Sequence, residues 1–267
     1  MSSVWNPDTY EQFADLRAKP FDDLVSLIEP PETPPDVVDL GCGTGALTAS
    51  LAERLGARSV LGIDSSPEML ERAAEHDGAG VRFERGDIAT FDRPSSFDVV
   101  ISNAALHWTD DHRGTLGRWA RAVRPGGQIA VQLPANFAHP SHTVAVRVGQ
   151  DSYFDRRWRN GGQPADRGRF VMPPAAYAEL LNELGFATQS VSLHVYPMVL
   201  PSSASVVDWV RGTLLVPYRA ALAPDDYAEF ERRYAKELAL VIGGESGERS
   251  PYFYAFDRIL MWGRRAR

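Results

Sequence analysis

Short apolar runs alternate with stretches of helical spacing through the first half of the chain. Val37, Val38 and Leu40 make one run, Val60, Leu61 and Ile63 a second that closes on Asp64, and residues 81–88 a third that closes on Asp87 and Ile88. Residues 97–103 are a fourth, ending at Asn103, and a turn over residues 121–127 leads to a fifth that ends at Leu133. Such runs suit strands buried on both faces, as in a parallel sheet covered by helices. Residues 46–55 carry apolar positions at helical spacing, and Ser66 before Pro67 reads as the cap of a second helix. The pattern predicts an α/β fold, a doubly wound parallel sheet.

The flanks differ. Tyr10, Phe13, Leu16, Leu24, Leu27 and Ile28 predict a helical arm over residues 5–29, broken near Pro20 and ended by the prolines at 30, 31, 34 and 35. Beyond Pro134, residues 175–184 read as a helix stopped by Gly185. Residues 190–196 alternate like a strand, and residues 252–262 suit the last strand of the same sheet. Helical patterns around 206–210 and 227–234 lie between them.

The chemistry concentrates in Asp39-Leu40-Gly41-Cys42-Gly43-Thr44-Gly45. Glycines at 41, 43 and 45 allow a tight turn and close approach of backbone to a ligand. The helix that follows turns its first amides toward that ligand. Gly41, Gly43 and Ala46 also fit a dinucleotide fingerprint with Asp64 as its acid, which keeps a nicotinamide-dependent oxidoreductase open. That alternative gives Asp87 and the Gly126-Gly127 turn no role. Three acids, Asp39, Asp64 and Asp87, close three successive runs; Asp64 there can accept hydrogen bonds from both hydroxyls of a ribose.

Composition narrows the partners. The 267 residues carry a formal net charge of −7 and 44% hydrophobic residues, so a globular protein without general affinity for nucleic acid or anionic membranes is expected. The single cysteine, Cys42, lies inside the glycine loop, where a small packed residue is expected and not a nucleophile. A start without a basic segment and apolar run, and the lack of a long apolar stretch, predict a cytoplasmic location. Lysine occurs only at Lys19 and Lys236, so an arginine is not distinguished merely by being arginine.

Asp39 to Gly45 closely resembles the signature of class I S-adenosylmethionine-dependent methyltransferases, and Val123-Arg124-Pro125-Gly126-Gly127 is similar to a second phrase of that family. The resemblance implies a Rossmann-like sheet with S-adenosylmethionine as cofactor. It assigns the cofactor to Asp39, Gly41, Gly43, Gly45, Asp64, Ser65, Asp87, Ile88 and Asn103, with Asp87 receiving the adenine amino group. Four further pieces narrow it: Trp5-Asn6-Pro7 with Tyr10, Phe13 and Arg17; residues 103–108; residues 132–136 with His142; and Asp208-Trp209-Val210. Together they resemble the bacterial trans-aconitate 2-methyltransferase family along nearly the whole chain. That implies an N-terminal helical lid over residues 1–35, a cofactor domain of residues 36–200 and 249–267, and a helical cap of residues 201–248 over the acceptor.

A carboxylic acid with a pKa of about 4 is already ionised at neutral pH, so esterification needs no general base. No catalytic residue and no metal ligand is therefore assigned. A tricarboxylate or other small carboxylic acid needs donors, and arginine suits carboxylates because its planar fork can reach both oxygens. Arg17 and Arg211 are the first candidates, Gln132 and Asn136 are neutral donors, and His107 and Trp108 close the pocket's side. A noncatalytic S-adenosylmethionine-binding protein and a methyltransferase for another carboxylic acid are the alternatives.

Overall fold

The computed structural model describes residues 19–159, 162–245 and 247–267. The chain forms two compact units. One holds the residues up to 134 with 170–194 and 258–267; the other holds 135–169 and 195–257.

The first unit carries strands β1 (Asp36–Leu40), β2 (Ser59–Asp64), β3 (Val81–Arg85), β4 (Phe97–Asn103) and β5 (Val123–Pro134). With β6 (Thr188–Leu200) and β7 (Tyr252–Arg264) they form one sheet in the order β3-β2-β1-β4-β5-β7-β6. The pairs among β1 to β5 are parallel, while β7 runs antiparallel to β5. Strand order reverses between β1 and β4, the kind of switch point where strand ends part and leave room for a ligand. Helices α2 (Ala46–Arg54), α3 (Pro67–Ala73), α4 (His112–Ala122) and α6 (Pro174–Glu183) belong to this unit. Ser66 caps α3 as expected, its hydroxyl accepting from the Met69 amide at 3.3 Å.

An N-terminal helix, α1, is described over residues 19–26. It runs through Pro20, so the expected break does not interrupt this stretch. Phe21, Leu24, Val25 and Ile28 are buried with Val37, Leu51, Val60, Val99 and Ile101, so the described part of the arm is core. Trp5, Tyr10, Phe13 and Arg17 lie outside the described residues.

The expected turn at 121–127 requires a correction. Strand β5 already begins at Val123, and the register with β4 jumps from Phe97↔Val123 to Val99↔Gln128. Pro125-Gly126-Gly127 is absorbed as an irregularity within the ladder. Gly126 takes φ +75°, and a Cβ on Gly127 would lie 2.8 Å from the Asp98 carbonyl oxygen, so neither place suits a larger residue. Strand β3 likewise stops at Arg85, leaving Asp87 and Ile88 in the loop beyond it.

The second unit contains α5 (Pro140–Gly149), α7 (Ser205–Arg211), α8 (Val216–Ala221) and α9 (Pro224–Ile242). Phe230, Tyr234, Leu238 and Ile242 recur every four residues along α9 and are buried. Tyr218 stacks on Phe230 with centroids 4.7 Å apart, and Phe154 and Trp158 pack edge-on to Phe230. This unit takes in residues 135–169 as well as the helices of 201–248. Helix α5 was not read from the sequence.

Candidate functional site

In the first unit the carboxyl ends of β1, β4 and β5 converge on one face of the sheet. Asp39 shares its face with Val37, Asn103 with Val99 and Ile101, and Gln132 with Gln128 and Ala130, since side chains alternate along each strand. Three of these polar side chains keep one buried atom that finds no hydrogen-bond partner among the described residues: Asp39 Oδ1, Asn103 Oδ1 and Gln132 Nε2. Buried polar atoms are nearly always paired, so such a cluster points to a polar ligand.

Asp39 is 3% exposed. Its Oδ2 accepts from the Thr48 hydroxyl at 2.6 Å. Burial pushes its pKa up to about 6; the nearby Asp64 charge also raises it, and the Thr48 hydrogen bond opposes both. Thr48 was not singled out from the sequence, although its place in the first turn of α2 returns its hydroxyl to the end of β1.

The glycine loop is held from both sides. Gly41 and Cys42 amides donate to the Ile63 carbonyl at 2.8 and 3.0 Å. Asp64 Oδ2 accepts from the Gly43 amide and Oδ1 from the Ser66 amide, each at 2.9 Å. Asp64 thus braces the loop and retains further lone pairs toward a ligand. Gly41, Gly43 and Gly45 all have positive φ. A Cβ on Gly41 would sit 2.2 Å from Ala105 Cβ and one on Gly45 2.7 Å from the Phe83 ring, whereas a Cβ on Gly43 would meet nothing within 4 Å. The loop is therefore packed below and open at Gly43. Cys42 is buried, and burial pushes its thiol far above the ordinary range, which removes it as a nucleophile.

Ser65 is exposed. Asp87 is exposed too; its Oδ1 accepts from the Ala89 amide at 2.8 Å, and the Ile88 carbonyl accepts from Trp119 Nε1 at 2.8 Å. The loop after β3 is thus shaped by its own hydrogen bonds and anchored to α4. After β4, Ala104 adopts φ +53°, a strained value for a residue with a Cβ. Its amide donates both to the Gln132 carbonyl at 2.9 Å and to Gln132 Oε1 at 3.1 Å. No sequence signal marks this turn. It leads into a short 3-10 turn in which His107 is buried and Trp108 is 44% exposed, their rings 4.8 Å apart.

In the second unit Asn136 is 4% exposed and donates from Nδ2 to the Tyr254 hydroxyl at 3.0 Å. Its Oδ1 has no partner among the described residues. His142 is half-buried, with its pKa lowered to about 4 first by desolvation and then by His139, so it is neutral near pH 7. Arg211 is committed within its own unit: it reaches Asp208 at 2.6 Å and Glu231 at 2.5 Å. These three residues line a cavity of about 450 Å³ with Ser203, Val207 and Leu238. Two arginines, Arg211 and Arg232, face two carboxylates, Asp208 and Glu231, there, so the cavity carries no surplus positive charge for a polyanion.

A family model described as a methyltransferase domain matches residues 37–127. A trans-aconitate 2-methyltransferase of Deinococcus radiodurans is 43% identical over 258 residues, 96% of each chain. One from Mycobacterium tuberculosis is 38% identical over 86% of this chain and 85% of that protein. Among solved structures, the YcgJ protein of Bacillus subtilis has a TM-score of 0.63 at 15% identity, covering 94% of this chain and 99% of that one. Phosphoethanolamine N-methyltransferase 2 of Haemonchus contortus, solved with phosphomonomethylethanolamine and S-adenosylhomocysteine, has a TM-score of 0.56 at 15% identity over 94% of this chain and 53% of that one. The two structures share the fold with this chain, and the two relatives match it over most of their length. With its strand-end acids, its glycine loop and the doubly wound sheet that carries them, the chain belongs to the trans-aconitate 2-methyltransferase family of class I methyltransferases.

Proposed function

We propose that this chain is an S-adenosylmethionine-dependent O-methyltransferase that esterifies one carboxylate of trans-aconitate to a monomethyl ester. The buried, unpartnered Asp39 Oδ1 beside the open Gly43 carries the cofactor part of the reading. An ammonium group is the natural partner of that oxygen, and an α-amino acid end of a ligand supplies one. Asp64, at the end of β2, suits the ribose, and Asp87 with Ile88 suits the adenine. Asn103 adds a second acceptor near the strand ends, and Ser65 a hydroxyl on the loop after β2. The acceptor part rests on the relatives, which are named for trans-aconitate.

When bound, S-adenosylmethionine supplies a methyl group activated on a sulfonium. The chain's own residues then have to orient and exclude water. The acceptor carboxylate is already ionised, so no side chain has to remove a proton. Alignment of two reactants contributes roughly 7–11 kcal/mol in favourable cases, enough to be the main catalytic term. Arg17, Gln132 and Asn136 are assigned to the acceptor's carboxylates, with His107 and Trp108 as walls. Small-molecule acids as partners and a cytoplasmic location belong to the same proposal. Among the described residues no helix is long and apolar enough to cross a membrane.

The test is transfer of labelled methyl from S-adenosylmethionine to trans-aconitate, cis-aconitate, citrate, isocitrate and fatty or isoprenoid acids, with base-labile ester as readout. Selective turnover of trans-aconitate is expected. Turnover of another acid alone would replace the acceptor, and cofactor binding without any ester would replace catalysis by a binding role.

A further inference from the structure

Strand β5 carries two buried glutamines on the same face, four residues apart. Gln128 is engaged at both ends: Oε1 accepts from the Glu29 amide at 2.9 Å and from Trp262 Nε1 at 2.8 Å, while Nε2 donates to the Glu29 carbonyl at 2.8 Å. Gln132 is wholly buried yet only half used. Its Oε1 is fixed by the amide of strained Ala104, which settles which end of the carboxamide is the oxygen, and its Nε2 finds no acceptor among the described residues. The Ala104 hydrogen bond therefore selects the orientation that leaves two N–H donors free. Its register partner Asn103 also keeps Oδ1 unpartnered, so the two amides have not satisfied each other.

We infer that Gln132 is a carboxylate-reading residue: Ala104 holds its oxygen so that Nε2 donates to a carboxylate oxygen of a bound ligand. This rests on the proposed function, which offers two sources of that group, the acceptor acid and the methionyl end of the cofactor. A neutral donor in a fully desolvated place discriminates strongly, because a ligand lacking the oxygen leaves the donor unpaired. It also binds an anion without adding a positive charge near the sulfonium.

Two variants separate this role from a merely structural one. Gln132→Glu keeps an oxygen for the Ala104 amide but replaces the donor by a second oxygen. Gln132→Met removes both. Thermal melting, calorimetric affinity for S-adenosylhomocysteine and for its decarboxylated analogue, and the acceptor KM are measured for each. If the acceptor is read, Gln132→Glu raises its KM at least tenfold with S-adenosylhomocysteine affinity within twofold. If the cofactor is read, Gln132→Glu weakens S-adenosylhomocysteine at least tenfold and leaves the decarboxylated analogue within twofold. In either case the loss shrinks as pH falls and the introduced carboxyl regains a proton to donate. Affinities and KM within twofold of wild type for Gln132→Glu would overturn the inference. So would equal losses for every ligand in both variants that track the fall in melting temperature. The proposed function fails separately, if the wild-type protein esterifies no trans-aconitate; calorimetry with S-adenosylhomocysteine and its decarboxylated analogue then still decides the cofactor arm, and the acid found in the panel serves the other.

Discussion

Asn103 and Gln132 are register partners on adjacent parallel strands, and each keeps one buried polar atom without a hydrogen-bond partner among the described residues. One is an acceptor and the other a donor. Asp39, on the far side of Asn103, adds a second acceptor on the same face. Two acceptors and a donor at the ends of β1, β4 and β5 complement an ammonium and a carboxylate. The arrangement yields tests that do not depend on knowing the acceptor.

Asp39 couples folding stability to pH. Its pKa is raised from 3.8 to about 6 by burial, so the folded state favours the protonated form more than the unfolded chain does. Its contribution to stability is therefore most favourable below about pH 4 and declines as pH rises to about 6, by roughly 3 kcal/mol at 1.36 kcal/mol per pKa unit. Asp39→Asn is expected to raise the melting temperature at pH 7.5 and to narrow its advantage over wild type at pH 5. The same change should weaken S-adenosylmethionine at least tenfold by calorimetry. A variant no more stable than wild type at pH 7.5 would mean that the charge is already compensated.

The loop glycines separate packing from ligand approach. Gly41→Ala is expected to unfold or severely destabilise the protein, since its Cβ would collide with Ala105 at 2.2 Å. Gly43→Ala meets no atom and should cost only about 1–2 kcal/mol for its left-handed backbone. Its cofactor affinity should nevertheless fall, as the added methyl enters the open side of the loop. Urea unfolding together with cofactor titration distinguishes the two; unchanged affinity for Gly43→Ala would show that the ligand does not pass there.

At the other end of the strands, Asp36 accepts from Ser59 at 2.7 Å and Arg124 at 2.9 Å and pairs with Arg58. The Arg58 hydrogen bond, followed by those of Ser59 and Arg124, holds its carboxyl well below the ordinary range against the opposing cost of burial. Its stabilisation is present above about pH 4 and is lost as pH falls further. Asp36→Ala should cost about 2–3 kcal/mol at pH 7 and leave acceptor KM and cofactor affinity unchanged. Denaturant titration with parallel kinetics checks both halves.

Arg211 was read from the sequence as an anion clamp, and its two carboxylate partners make it a brace between α7 and α9. Arg211→Ala is expected to lower stability by at most about 1 kcal/mol, the ordinary scale for partly exposed ion pairs. Acceptor KM should change less than threefold, while Arg17→Ala raises it at least tenfold. A large KM effect at Arg211 would restore it to the acceptor site.

The strands, the glycine loop and the acids at 39 and 64 were legible because each is written locally, whereas Asp87 falls in the loop after β3. Apolar runs mark buried strands, glycines mark positive φ, and an acid at a strand end needs only that strand to place it. The cap of α3 at Ser66 was legible for the same reason. The second unit was harder: residues 135–169 carry no repeat of the strand-and-helix pattern that would assign them to it. What only the tertiary structure decided is which polar atoms are left over. Gln128 and Gln132 are indistinguishable as buried glutamines of one strand. Glu29, almost a hundred residues away, and Trp262 complete the first, whereas the turn at Ala104 engages only half of the second. Arg211 likewise pairs with Glu231, 20 residues on in α9 beyond α8. Hydrogen-bond satisfaction depends on register between segments distant in sequence, so local pattern names the candidates and packing determines which of them remain free to bind.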